Sequence, residues 1–149
     1  TKCIPLWNGP GTVKVIITDS NGAPAGPELI QQVQEYIAPE PGKGEGKAPI
    51  GASVTVEAPE IVTVDINVTL FYQPGYDPVA VKANLETALA SYINGLGIGE
   101  TVRYAAIGKI IFETKGVSDY SGLLINGGTG NIVVPENGKA VLGTVTYNE

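Results

Sequence analysis

Asp65 falls on the polar side of a predicted strand and Asp119 near the start of another. A carboxylate pair is the smallest set that can run acid–base hydrolysis, and it has to converge in a cleft about 5–10 Å across. Nothing in the spacing of 65 and 119 forces that convergence, and a solvated strand face accounts for both. The run Asp19-Ser20-Asn21-Gly22 has the residue types of a calcium loop but offers too few oxygen ligands by itself. It also reads as a plain turn. Gly46-Lys47 is followed by Ala48, and Pro41 stands five residues before Gly46, so a P-loop fails at two positions. Gly95-Leu96-Gly97-Ile98-Gly99 has dinucleotide-loop spacing but follows a helical pattern instead of a strand. Asn67-Val68-Thr69 matches a glycosylation acceptor inside a predicted strand, where coincidence explains it better. Cys3 reads as a small apolar residue near the start of the chain.

Composition removes further chemistries. There is no His, which excludes Ser-His-Asp and Cys-His sites and His-ligated zinc. One Cys cannot close an intrachain disulfide or a cysteine-rich metal site. Arg103 is the single Arg, so a multi-arginine phosphate clamp cannot come from one chain. The net charge of −6 opposes non-specific nucleic-acid binding. Neither half departs from this: residues 1–74 carry 4 basic and 8 acidic groups, and residues 75–149 carry 5 and 7. The seven Tyr are spread along the chain, unlike a base-stacking platform. No residue is therefore assigned a catalytic, cofactor-binding or metal-binding role.

The elements that would position any site follow from periodicity. The chain has 149 residues with 43% apolar, enough for a core, and only 16% charged, against roughly 25% in ordinary domains. Twenty Gly and 11 Pro imply many turns and short elements. No apolar run approaches the roughly 20 residues of a membrane span, and no segment reads as a secretory leader. The chain starts at Thr1 and lacks Met throughout, which points to processing or to a piece of a longer protein.

Residues 1–11 read as an entry segment. A first strand is predicted at 12–18, with Val13, Val15 and Ile17 on one face and Ile16 on the other, as in a strand buried on both sides. A helix follows at 27–38. Pro27 suits its first position, Leu29, Ile30, Val33, Tyr36 and Ile37 form its apolar stripe, and Gln31, Gln32, Gln34 and Glu35 face away. Pro39 and Pro41 stop it, and 39–51 reads as a mobile Gly-rich loop. A strand at 52–58 completes a β-α-β crossover, so it and the first strand are expected as parallel neighbours. Pro59 then marks a boundary.

The strongest signal is Ile61-Val62-Thr63-Val64-Asp65-Ile66-Asn67-Val68-Thr69-Leu70-Phe71-Tyr72. Its alternation predicts a long strand with one apolar face and one wet or docked face. Asp77-Pro78 opens a helix over about 78–94 with Val81, Leu85, Ala88, Leu89, Tyr92 and Ile93 inward. Thr101 is expected to cap a shorter helix near 103–113, with Tyr104, Ile107, Ile110 and Ile111 inward. Strands are predicted near 117–126, 131–134 and 140–147. The fold class is α+β: two small lobes, β-α-β over 1–58 and β-α-α-β-β-β over 59–149, with helices packed on mostly antiparallel sheet.

At the join of the lobes the sequence resembles a known family. Ala48-Pro49-Ile50-Gly51-Ala52-Ser53-Val54-Thr55-Val56-Glu57-Ala58-Pro59, leading into the alternating strand, is similar to the baseplate J-like proteins of phage tails. Gly11-Thr12-Val13-Lys14-Val15 with Asn21-Gly22-Ala23-Pro24, the stretch from Gly99-Glu100 to Gly116-Val117, and Leu142-Gly143-Thr144-Val145-Thr146 agree in order and spacing. The resemblance covers about residues 9–147 and fits the C-terminal portion of a longer protein. Family members often carry Arg before the P-x-G stretch; here Lys47-Ala48 stand there.

The resemblance implies a structural part of a phage, prophage or phage-like tail baseplate wedge, with no catalysis and no cofactor. It implies baseplate wedge and hub proteins and tail-fibre attachment proteins as partners, several copies per particle, and no nucleic acid or membrane. It implies a place in the virion tail, after synthesis in the bacterial cytoplasm. The competing reading is a small surface or extracellular glycan- or ligand-binding module, prompted by the Gly-rich loops and scattered Tyr. A third is an enzyme using carboxylates alone.

Overall fold

The alternation around Asp65 becomes the longest strand, Glu60–Tyr72, in a computed structural model that describes residues 1–40, 42–44 and 46–148. In chain order the elements are β1 (Lys2–Pro5), β2 (Thr12–Ile16), α1 (Pro27–Ile37), β3 (Ser53–Glu57), β4 (Glu60–Tyr72), α2 (Pro78–Gly95), α3 (Tyr104–Glu113), β5 (Val117–Ile125) and β6 (Gly138–Asn148). This is the predicted α+β fold, with the three helices and the long strand in the order that the periodicity sets. The part of the α1 stop assigned to Pro41 lies outside the described residues, as does Glu45 of the following loop.

The first three strands form one sheet in the order β1-β2-β3. β2 and β3 are parallel, as the crossover requires, and β1 adds an antiparallel edge. The segment read as an entry is therefore a strand. The 6–11 loop closes it into a hairpin, with the Leu6 N–H donating to Thr12 O at 2.8 Å. Leu29, Ile30, Val33 and Ile37 of α1 pack against Val13, Val15, Ile17, Val54 and Val56. Ile16, on the opposite face of β2, is fully buried, so this strand is covered on both sides.

Two α1 positions differ from the stripe. Tyr36 is exposed and lies beneath the Lys47 ammonium, 5.7 Å from the ring centroid. Gln34 takes an inner place instead. Its amide donates to Val54 O at 2.9 Å and accepts from the Val56 N–H at 2.8 Å. Those groups form the open edge of β3, and the amide pairs them as a neighbouring strand would. Part of the 39–51 loop is anchored on the end of α1. Lys47 and Ala48 N–H both donate to Ile37 O, and Ala48 is buried in this core.

The remaining strands form a second sheet in the order β5-β4-β6, with α2 and α3 on one face. Val64, Ile66, Val68 and Leu70 of β4 meet Leu85, Leu89 and Ile93 of α2 and Ile107 and Ile111 of α3. Full burial of each such side chain contributes about 1.5–3 kcal/mol. Asp77 caps α2 as expected, accepting from the Val79 N–H at 3.1 Å. α3 starts after Arg103 and is not capped by Thr101; Asn131 Oδ1 instead accepts from the Tyr104 N–H at 2.9 Å.

Both sheets are mixed, each with one antiparallel and one parallel pairing, where mostly antiparallel sheet was expected. The cause in the second sheet is the 126–137 connection. It carries the chain back to the start of β4, so β6 runs parallel to it. Part of this connection was expected to be a strand at 131–134. It makes only an isolated bridge between Ile132 and Val102.

Candidate functional site

The face of the second sheet away from its helices presents Ile61, Thr63, Asp65 and Phe71 exposed, with Asn67 and Thr69 half-buried. Registration places Leu124, Ser121 and Asp119 of β5 beside Asn67, Thr69 and Phe71. On the other side, Val141, Thr146 and Asn148 of β6 lie beside Thr63, Asn67 and Thr69. The surface mixes hydroxyl, amide and apolar groups and carries few charges.

The structure does not bring the two sequence-predicted carboxylates together. Asp119 pairs with Phe71, six positions along β4 from Asp65. At the rise of a strand this separates the two by about 20 Å, well beyond the reach of a two-carboxylate hydrolase. Each carboxylate already serves the backbone. Asp65 Oδ1 accepts from the Thr144 N–H at 2.8 Å, where the β4–β6 register shifts between Val64 and Ile66. Asp119 accepts from the N–H of Tyr120 at 2.8 Å. The turn at Asp19 is an Asx turn, its carboxylate accepting from Asn21 and Ala23 N–H groups at 2.8 and 2.9 Å.

Other flagged residues have structural roles too. The Gly95 to Gly99 run is the exit of α2, with the Gly97 N–H donating to Glu100 Oε2. The Asn67 carboxamide oxygen accepts from the Asn148 side chain. Tyr92 and Tyr104 lie on the second core, as expected. Tyr92 Oη accepts from the Arg103 N–H at 3.3 Å, and Tyr104 Oη donates to Leu123 O at 2.8 Å. Cys3 is exposed on β1. The exposed aromatic side chains Trp7, Tyr36, Phe71, Tyr76 and Phe112 sit on different loops, strands and helices. An open groove of about 330 Å³ runs between α2 and α3, lined by Asn84, Ala88, Ile110, Glu113, Thr114 and Lys115.

Three positions escaped the sequence reading. Asn126, at φ 50°, donates from Nδ2 to Thr63 O at 3.0 Å and accepts from the Asp65 N–H at 2.7 Å, which pins the β5 turn to β4. Asn before Gly127-Gly128 signals the turn, but not its reach. Lys139 is 3% exposed, and its ammonium donates to Asn94 O at 2.9 Å and to Leu96 O. Burial lowers its pKa, while the Glu100 carboxylate acts the other way. The only hint is that α2 has no basic residue in its last turn, leaving its carbonyls to be met from elsewhere. Tyr147 of β6 donates to Glu86 Oε1 at 3.0 Å, and Lys82 lies 4.9 Å from its ring centroid. Burial, then the bond to Glu86, raises its pKa.

Comparison with known proteins places this arrangement. The model of the baseplate J-like central domain matches residues 1–58, and that of the baseplate J-like protein C-terminal domain matches residues 64–148. The chain belongs to the baseplate J-like family. It is 41% identical over 149 residues to the phage-like element PBSX protein XkdT of Bacillus subtilis (strain 168), covering 99% of this chain and 43% of that protein. It is 30% identical over 97 residues to baseplate protein J of Escherichia phage P2, covering 64% of this chain and 30% of that one. The chain thus spans less than half the length of these curated relatives. Among solved structures, a chain of the anti-feeding prophage baseplate, solved by cryo-EM with 6-fold symmetrisation, shares the fold. Its TM-score is 0.58 at 11% identity, covering 88% of this chain and 29% of that one.

Proposed function

We propose that this chain is a structural portion of a phage-like tail baseplate protein and works through protein–protein contact, without catalysis. The observation that carries this is the tiling of the chain by two family models in order, 1–58 and 64–148. The first model ends at the short link of Ala58 and Pro59, between the two sheets and their separate cores, which supports a division there. We read residues 1–58 and 59–149 accordingly as two lobes. The carboxylates committed to backbone N–H groups support a non-enzymatic role. The weakly charged outer face of the second sheet is the surface offered to neighbours, since interface cores are depleted in charge.

In this reading the partners are other baseplate wedge and hub proteins, with tail-fibre attachment proteins at the periphery. Several copies work in each tail particle after synthesis in the bacterial host cytoplasm. Co-expression of the full-length protein with the baseplate components encoded beside it tests the proposal. Co-purification as a defined complex is the expected result. A full-length protein that stays alone beside folded neighbours overturns it.

A further inference from the structure

The lobes are joined by a short link, and among the described residues no helix or strand of one packs broadly on an element of the other. Two contacts between them lie at one corner. Gly22, in the turn after β2, sits against the end of α2: a Cβ there would stand 2.7 Å from Asn94 O and 3.9 Å from the Lys139 ammonium nitrogen. Its φ of +80° further restricts the position to glycine. Lys2 reaches Glu136 at 3.7 Å, beside Gly99. Ile16, the β2 partner of Lys2, is fully buried yet belongs to neither core. Its pairing with Lys2 sets this end of β2 near the same corner.

We propose that the C-terminal end of α2, held by the buried Lys139, is a seat on which the 19–22 turn rests, and that this seat sets the angle between the lobes. The proposal rests on the two-lobe reading. The last carbonyls of a helix carry partial negative charge and lack partners within the helix. Lys139 supplies a cation from β6 to two of these exit carbonyls, Asn94 O and Leu96 O. Asn94 O, held in this way, is the atom that Gly22 approaches. If Lys139 is removed, the exit of α2 loses its partner and the surface under the turn changes shape. The link at Ala58 and Pro59 then no longer has a fixed stop.

Spin labels on the native Cys3 and on an added Lys109→Cys report the separation of the lobes in the full chain. Hydrogen exchange, measured alongside, reports each core. The parent is expected to give one narrow distance distribution. In Lys139→Met and in Gly22→Val the distribution should widen and its maximum move, with β2, β3 and β4 keeping parental protection. Unchanged distances in variants whose cores stay protected overturn the seat and leave the two lobes standing. Should Lys139→Met fail to fold, Gly22→Val decides alone. If Gly22→Val strips protection from both cores together, the two-lobe reading falls, and the seat with it.

Discussion

The Asp65 carboxylate accepts from the Thr144 N–H at 2.8 Å, across the register shift between β4 and β6. A residue that by type and strand position resembles half of a catalytic pair is thus committed to an irregularity of the sheet. The irregularity adds a residue to β6 between Leu142 and Val145, so one N–H falls out of the ladder, and Asp65 receives it. Gly143 belongs to the same device, because a Cβ there would collide with Asp65 Oδ1.

Asp65→Ala is therefore expected to cost stability, by about 1 kcal/mol, the ordinary worth of one such hydrogen bond. Asp65→Asn, which keeps an acceptor oxygen, should cost less. Urea unfolding of the three proteins checks the order. Equal stability of Asp65→Ala and the parent contradicts it.

Gln34→Leu should expose the open edge of β3. Val56 N–H and Val54 O lose their partner, at a cost of about 1–3 kcal/mol if they stay buried. Residue-resolved hydrogen exchange is the direct measure. The Val56 amide is expected to exchange faster in the variant, with the β4 amides unaffected.

The two faces of β4 should respond very differently to one charge. Ile66 is 1% exposed in the core, so Ile66→Asp is expected to cost more than about 4 kcal/mol and to unfold the second sheet. Thr63 is exposed, and Thr63→Asp should leave the thermal midpoint within a few degrees while weakening co-assembly. Equal loss in both melts shows that the strand faces are wrongly assigned.

Tyr147 gives a test at alkaline pH. Burial and Glu86 raise its folded pKa above the unfolded value of about 10, so the folded chain holds this proton more tightly. The stability it contributes is complete below that pH and is lost as pH rises toward the folded value. Lys139, lowered by burial, acts in the opposite sense, so the comparison has to be with Tyr147→Phe. The stability gap between parent and Tyr147→Phe is expected to be constant from neutral pH to about 9 and to narrow above about 10. A gap that widens there contradicts the assignment.

Much of the fold was legible because periodicity and turn chemistry are local. The alternation around Asp65 and the Asp77-Pro78 helix start each follow from a few consecutive residues, and the parallel β2–β3 pair follows from the order strand, helix, strand. What could not be read depends on contacts across the chain. Gln34 looks like an outward helix residue until β3 lies beside it. Tyr36 fits the α1 stripe by spacing, yet the stripe is narrower than its spacing implies. Lys139 looks like a surface lysine in a turn until the end of α2, some 45 positions away, is placed against it. The carboxylates were visible by type, but their separation is set by the β4–β5 register, which no local pattern encodes.

The role of this chain as a building part is tested most directly by locating it in the particle. Cryo-EM of tails assembled with the full-length protein should show both sheets, β1-β2-β3 and β5-β4-β6, as ordered density in the baseplate, with neighbouring proteins against the outer face of β4. Baseplates that form complete without it, with the protein left free and turning over a substrate, would contradict the account.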